Sequence, residues 1–130
     1  MTPGSRILVV DDHIATCEIL ADALEIQGYK VQTAADGRQA WDLVPQSPMA
    51  YDLVLSDVNM PRMDGLELLA RIRADAPEIH VILMTGHPDP AIPEQAQRLG
   101  AVAVLLKPWG LEQLYRTLQR AISERARLAG

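Results

Sequence analysis

The sequence predicts an α/β fold, a parallel sheet covered by helices on both faces, and three observations carry that prediction. Short apolar runs such as RILVV, LVL, VILM and AVAVLL alternate with longer segments of helical period. The alternation repeats five times, so each strand is followed by a helix, and right-handed crossovers then force the strands parallel. The apolar runs end in polar residues, as strands do when their carboxyl ends form a binding edge.

Each element has its own local signal. RILVVDD (6–12) reads as the first strand. Ile14, Cys17, Ala21 and Leu24 recur behind it at helical spacing, and Gly28 supplies the stop. YKVQTA (29–34) alternates, as a less buried strand does. DGRQAWDLV (36–44) opens on Asp36 with Gln39 three residues on, the capping-box spacing, and Pro45 closes it. DLVLSD (52–57) is the third strand, and Asp64 with Glu67 repeats the cap spacing before Leu66, Leu69 and Ile72. HVILMT (80–85) is the fourth strand, and a loop with Pro88, Pro90 and Pro93 leads to a short helix ending near Gly100. AVAVLL (101–106) is apolar throughout and reads as a strand buried on both faces. A last helix from about Leu111 carries Leu111, Leu114, Leu118 and Ile122 on one face. Ser5 and the residues before it, and the tail after about Arg125, are expected to fray. With no repeat, low-complexity tract or internal linker, residues 1–130 read as one domain with its core at about 6–122.

Composition narrows the function. At 130 residues and 48% hydrophobic content the chain can build a real core and is not disordered. A net charge of −5 argues against a general nucleic-acid or membrane-surface binder. The single cysteine, Cys17, cannot form an internal disulfide. No secretory leader is visible, and the apolar runs fall far short of the roughly 20 residues a spanning helix needs. A soluble cytoplasmic protein is the expectation.

The polar strand ends carry the chemistry. The first strand ends in Asp11-Asp12, the third in Asp57, the fourth in Thr85 and the fifth in Lys107. A strand-end Asp alone usually caps a helix, and a strand-end Lys usually snorkels to solvent. Their convergence on one edge is harder to explain that way. Two like charges about 4 Å apart repel by roughly 4 kcal/mol at an effective dielectric near 20, so three carboxylates must hold a proton or attract cations. Lys107 supplies one positive charge, and an all-oxygen carboxylate site suits Mg²⁺ where phosphate is handled. A carboxylate beside such an ion and a lysine can act as a nucleophile toward phosphorus, giving an acyl phosphate, with a Thr85 hydroxyl to donate to a phosphoryl oxygen. Asn59, two residues after Asp57, cannot act as acid or base. The site is therefore suited to holding a phosphoryl group rather than turning it over.

VVDDH, LSDVNMPRMDG, ILMTG and LLKPW stand in the order and spacing that resemble a response-regulator receiver domain of bacterial two-component signalling. The likeness spans about Arg6 to Arg120 and implies a CheY-like, flavodoxin-like fold, a three-layer doubly wound (βα)5 unit with strand order 2-1-3-4-5. It implies that Asp57 is the phosphoacceptor and that Asp12, Asp57 and the Asn59 backbone carbonyl bind Mg²⁺, with Asp11 acting through water. Thr85 and Lys107 would contact the phosphoryl group, and the Lys107–Pro108 peptide would be cis. The implied partners are a histidine kinase or phosphotransfer protein, an output partner or domain, and a second copy through the fourth-helix, fifth-strand, fifth-helix face, with neither nucleic acid nor membrane bound directly. The MTGH segment is similar to receivers attached to transcriptional activators. The likeness breaks at Val104, where receivers usually carry the Tyr or Phe that swings inward with the threonine. Output is then expected to rely on the fourth helix and its proline-rich loop.

Other readings are weaker. A haloacid-dehalogenase-like aspartyl phosphatase needs a second Asp where Asn59 stands. A dinucleotide-binding module fails because Asp11-Asp12 would repel a pyrophosphate. A phosphorylation-insensitive scaffold is favoured by Val104 alone. Cys17 reads as inert core, Trp41 and Tyr115 as packing residues, and Trp109 as a partial cover of the site or a partner surface. His13, His80 and His87 look too scattered for a metal trio, with His87 near enough to Thr85 to affect phosphoryl lifetime. Arg116, Arg120, Arg125 and Arg127 read as a solvated basic face or a contact for an acidic partner.

Overall fold

The structure, a computed structural model, describes residues 5–44, 51–86, 89–107 and 110–129, with side chains through residue 123. Its elements run β1 (Arg6–Val10), α1 (Ile14–Ile26), β2 (Lys30–Ala34), α2 (Gly37–Leu43), β3 (Leu53–Asp57), α3 (Gly65–Asp75), β4 (His80–Thr85), α4 (Ala91–Leu99), β5 (Ala103–Leu106) and α5 (Leu111–Ala129). All strand pairs are parallel and the order is β2-β1-β3-β4-β5, as the resemblance implied. The order reverses between β1 and β3, so the crevice past their carboxyl ends is the place where such sheets bind ligands.

Alternation along the strands builds two cores. Leu8, Val10, Val54, Val81 and Leu83 pack with Leu68, Leu69 and Ile72 of α3 and Ala96 of α4 on one face. Ile7, Val9, Leu53, Leu55, Ile82 and Met84 pack with Cys17, Leu20 and Leu24 of α1 and Leu114 and Leu118 of α5 on the other. Burying each such aliphatic side chain is favourable by about 1.5–3 kcal/mol, which is why β1, β3 and β4 are held rigidly between the layers. The two side-chain caps read from sequence form: Asp36 accepts from the Gln39 amide at 2.8 Å and Asp64 from the Glu67 amide at 2.9 Å.

Several local expectations are corrected. Ile14 is 72% exposed and Leu111 43% exposed, because both open their helices beyond the strand ends, where no sheet lies beneath them. Leu20 joins Cys17 and Leu24 on the buried stripe instead of Ala21, and Leu68 is buried where Leu66 is only half-buried. The first strand ends at Val10, leaving Asp11 and Asp12 beyond it, and the second begins at Lys30. The fifth strand starts at Ala103 and is an edge strand, with Leu106 55% exposed, not a strand buried on both faces. Ser5 does not fray; it is buried, and its carbonyl accepts the Lys30 amide at 2.9 Å. The carboxyl-terminal helix continues to Ala129, since ERARLA contains good helix formers and no breaker before Gly130. Among the described residues no helix is long and apolar enough to cross a membrane.

Candidate functional site

The carboxylates meet at the switch point. Asp11 follows β1 directly, its amide donating to the Ala34 carbonyl at 3.1 Å, and its side chain is fully buried. Oδ1 of Asp11 accepts the His13 amide at 2.9 Å, whereas Oδ2 is buried with no protein partner. Asp12 lies at the mouth, with its side chain 33% exposed. Asp57 is the last residue of β3 and its side chain is 7% exposed. Its Oδ1 accepts the Val58 amide at 2.9 Å and faces Lys107 Nζ at 3.6 Å. One ligand atom from each of Asp11, Asp12, His13 and Asp57 falls in a group whose members all lie within 4.8 Å of one another.

Backbone contacts fix this arrangement. The Lys107 amide donates to the Thr85 carbonyl at 2.8 Å, which anchors the start of the lysine loop to the end of β4. The Val58 amide also reaches the Met84 carbonyl at 3.0 Å, and the Gly65 amide donates to the Val58 carbonyl at 2.8 Å. A Cβ at Gly65 would run into the Asp57 carbonyl oxygen, so only glycine lets α3 start this close to β3. Thr85 is fully buried at the end of β4.

Burial raises the Asp57 pKa above its ordinary value, the Lys107 charge and the Val58 amide oppose that rise, and Asp11 and Asp12 add to it. Desolvation and carboxylate repulsion together outweigh one lysine. A cluster with a buried, unpartnered carboxylate oxygen is short of positive charge and fits a hard divalent cation of the Mg²⁺ type.

Asp11, Asp12, Asp57, Thr85 and Lys107 all stand at this edge, with Asn59 two residues past the end of β3, and the Lys107 side chain is 35% exposed. Sequence reasoning missed His13. Its Nδ1 lies 3.1 Å from Asp11 Oδ1 and 3.2 Å from Asp12 Oδ1, so this exposed histidine belongs to the aspartate cluster, although no histidine trio forms among the described residues. Its place as the N-cap of α1, directly after two strand-end aspartates, was the available signal. Cys17 is buried, its thiol donating to the Asp11 carbonyl at 3.2 Å, and burial raises its pKa, as expected of an inert core thiol. Val104 is half-buried in β5 opposite Leu83. Pro45, His87, Pro88, Pro108 and Trp109, and with them the expected cis peptide, lie outside the described residues.

The sheet is doubly wound, with acidic groups at its β1/β3 switch point and a lysine directly after its last strand. Residues 7–119 match the response regulator receiver domain family. The chain is 41% identical over 117 residues to the transcriptional regulatory protein ZraR of Escherichia coli K12, covering 90% of this chain and 26% of that protein. It is 36% identical to a probable chemotaxis protein CheY of Rhizobium etli, covering 84% of this chain and 85% of that one. A receiver domain structure from Clostridium thermocellum superposes with a TM-score of 0.91 at 30% identity, covering 95% of this chain and 98% of the other. The chain belongs to the response regulator receiver domain family. It spans about a quarter of the length of the ZraR proteins it matches. Receiver domains are signalling domains of two-component systems, not turnover enzymes, and generally bind Mg²⁺ at an acidic pocket.

Proposed function

We propose that this chain accepts a phosphoryl group on Asp57 from a histidine kinase, a phosphotransfer protein or a small phosphodonor, and thereby changes the surface it offers to an output partner. An Asp57 carboxylate oxygen attacks phosphorus, the bond from phosphorus to the donor breaks, and the donor leaves with the electron pair, giving an acyl phosphate. Mg²⁺, held by Asp12, Asp57 and the Asn59 carbonyl and by Asp11 through water, would supply the charge that screens the phosphoryl oxygens from the carboxylates. Lys107 pairs with one phosphoryl oxygen and the Thr85 hydroxyl donates to another. Because Thr85 is fully buried, its hydroxyl reaches that oxygen through a rearrangement at the end of β4, and this movement is the switch. Asn59 provides no acid or base, so the acyl phosphate is released slowly and self-dephosphorylation is the only turnover.

The observation that carries this reading is the approach of Lys107 Nζ to the buried Asp57 carboxylate, 3.6 Å away, inside a cluster short of cations. The reading extends to one receiver unit across residues 1–130, working in the cytoplasm. Its output runs through a partner, a further domain or a second copy that meets the α4-β5-α5 face, with no direct contact to nucleic acid or membrane. A phosphorylation-insensitive scaffold is the second reading, favoured only by Val104. Incubation with acetyl phosphate and Mg²⁺ should give one phosphate adduct by intact mass, absent without Mg²⁺ and absent in Asp57→Asn. An adduct persisting in Asp57→Asn moves the acceptor elsewhere, and no adduct in the native protein leaves the scaffold reading in its place.

A further inference from the structure

Arg62 is the one non-glycine residue among those described with a positive φ, at 68°. It lies in the β3–α3 loop, three residues after Asn59, and a side-chain-bearing residue is uncommon in this left-handed region. Its Nε donates to Asp36 Oδ2 at 2.9 Å. Asp36 is 4% exposed, and its other oxygen, Oδ1, accepts the Gln39 amide at 2.8 Å. Both carboxylate oxygens are thus committed, one to starting α2 and one to the loop.

A second contact lies beside the first. The Gly37 amide donates to the Met63 carbonyl at 3.1 Å, and a Cβ at Gly37 would run into that oxygen. Met63 is itself buried in the core with Ala40 and Val44. The start of α2 and the β3–α3 loop therefore form one body, closed on its solvent side by the Asp36–Arg62 ion pair. That loop leaves Asp57 and carries Asn59.

We propose that Asp36 and Arg62 are positioning residues that form a latch setting the Mg²⁺ affinity of the acidic cluster, by holding the β3–α3 loop where the Asn59 carbonyl faces the ion. The inference rests on reading that cluster as a Mg²⁺ site. Neither residue reaches the ion; each acts through the loop. A helix cap and a surface ion pair with no further role would move the melting temperature and leave Mg²⁺ binding alone.

Calorimetric titration with Mg²⁺ separates the two. Arg62→Gly opens the latch while supplying the residue that best tolerates a positive φ, and Asp36→Ser opens it while keeping an N-cap acceptor. Each should fold and should bind Mg²⁺ about tenfold more weakly, the scale on which supporting residues tune metal affinity. The double variant should be no weaker than the worse single one, because both break the same link. Asp12→Asn is the reference and should abolish binding. If Asp12→Asn binds Mg²⁺ like the native protein, the metal-site reading fails. If it does not bind while Arg62→Gly and Asp36→Ser bind like the native protein, or if their losses simply add, the latch is overturned and the metal site stands.

Discussion

Lys107 Nζ stands 3.6 Å from Asp57 Oδ1, close enough for strong attraction, yet the Asp57 carboxyl still titrates above its ordinary value. An ion pair at about 4 Å gains roughly 4 kcal/mol of gross Coulomb energy at an effective dielectric near 20. Burial of Asp57 and the nearby Asp11 and Asp12 charges outweigh that gain. The pair is therefore a sign of unmet demand for positive charge rather than of a stable bridge. Selection for stability would remove the carboxylates; the proposed chemistry requires them.

Asp57→Asn should consequently stabilise the metal-free protein near neutral pH. A carboxyl whose pKa is raised by folding favours the folded state below its ordinary value of 3.8, and that advantage is lost as pH rises through the folded value. Asparagine keeps an acceptor for the Val58 amide and carries no charge, so the gain should be present at pH 7 and shrink toward zero near pH 3. Urea unfolding of both proteins at the two pH values measures it. A gain that is larger in acid, or a loss at neutral pH, would show that Lys107 dominates the Asp57 environment.

Mg²⁺ should raise the melting temperature of the native protein, since an ion bound only by the folded state stabilises it by an amount that grows with the logarithm of its concentration above Kd. Asp12→Asn should melt higher than the native protein without metal and show no Mg²⁺-dependent rise. Asp12 is the best place for this test because its side chain is one-third exposed, so water can satisfy the amide hydrogens that asparagine adds. Thermal melts with and without excess Mg²⁺ check both halves. A metal-free Asp12→Asn protein that melts below the native one would remove the repulsion argument.

The strand order implied by the resemblance, most elements and the pocket residues were legible because each has a local signal: an apolar run, a cap pair, a polar strand end. What was not legible depends on where an element stops relative to its neighbours. Ile14 and Leu111 keep helical spacing with the buried stripes, but spacing does not report that the first turn overhangs the sheet. The apolar run 101–106 looks like a central strand, yet only topology puts β5 at an edge. His13 and the Asp36–Arg62 pair were missed for a related reason. No histidine spacing marks the first, which pairs with the aspartates beside it, and the second joins residues 26 apart that no motif connects.

Val104 should weaken the coupling between the phosphoryl group and the outer surface. It is half-buried in β5, registers with Leu83, and packs against the core that underlies α3 and α4. In receivers with an aromatic ring at this position, inward rotation of the ring follows the threonine and repacks the α4-β5-α5 face. Valine is short and stiff about its one side-chain torsion, so it cannot sweep a comparable volume. Movement of Thr85 must then pass through the backbone, either into the segment after Gly86 or across the 2.8 Å bond from the Lys107 amide to the Thr85 carbonyl. A ligand shifts an equilibrium only by its differential affinity for the two states, and less repacking leaves the two states less distinct. The ratio of self-association or partner affinity with and without beryllium trifluoride should therefore be smaller in the native protein than in Val104→Tyr. Phosphorylation of Asp57 itself should be unchanged by the substitution, which separates switching from chemistry. An equal or larger ratio in the native protein would place the switch in the backbone route alone, with Val104 no handicap to it.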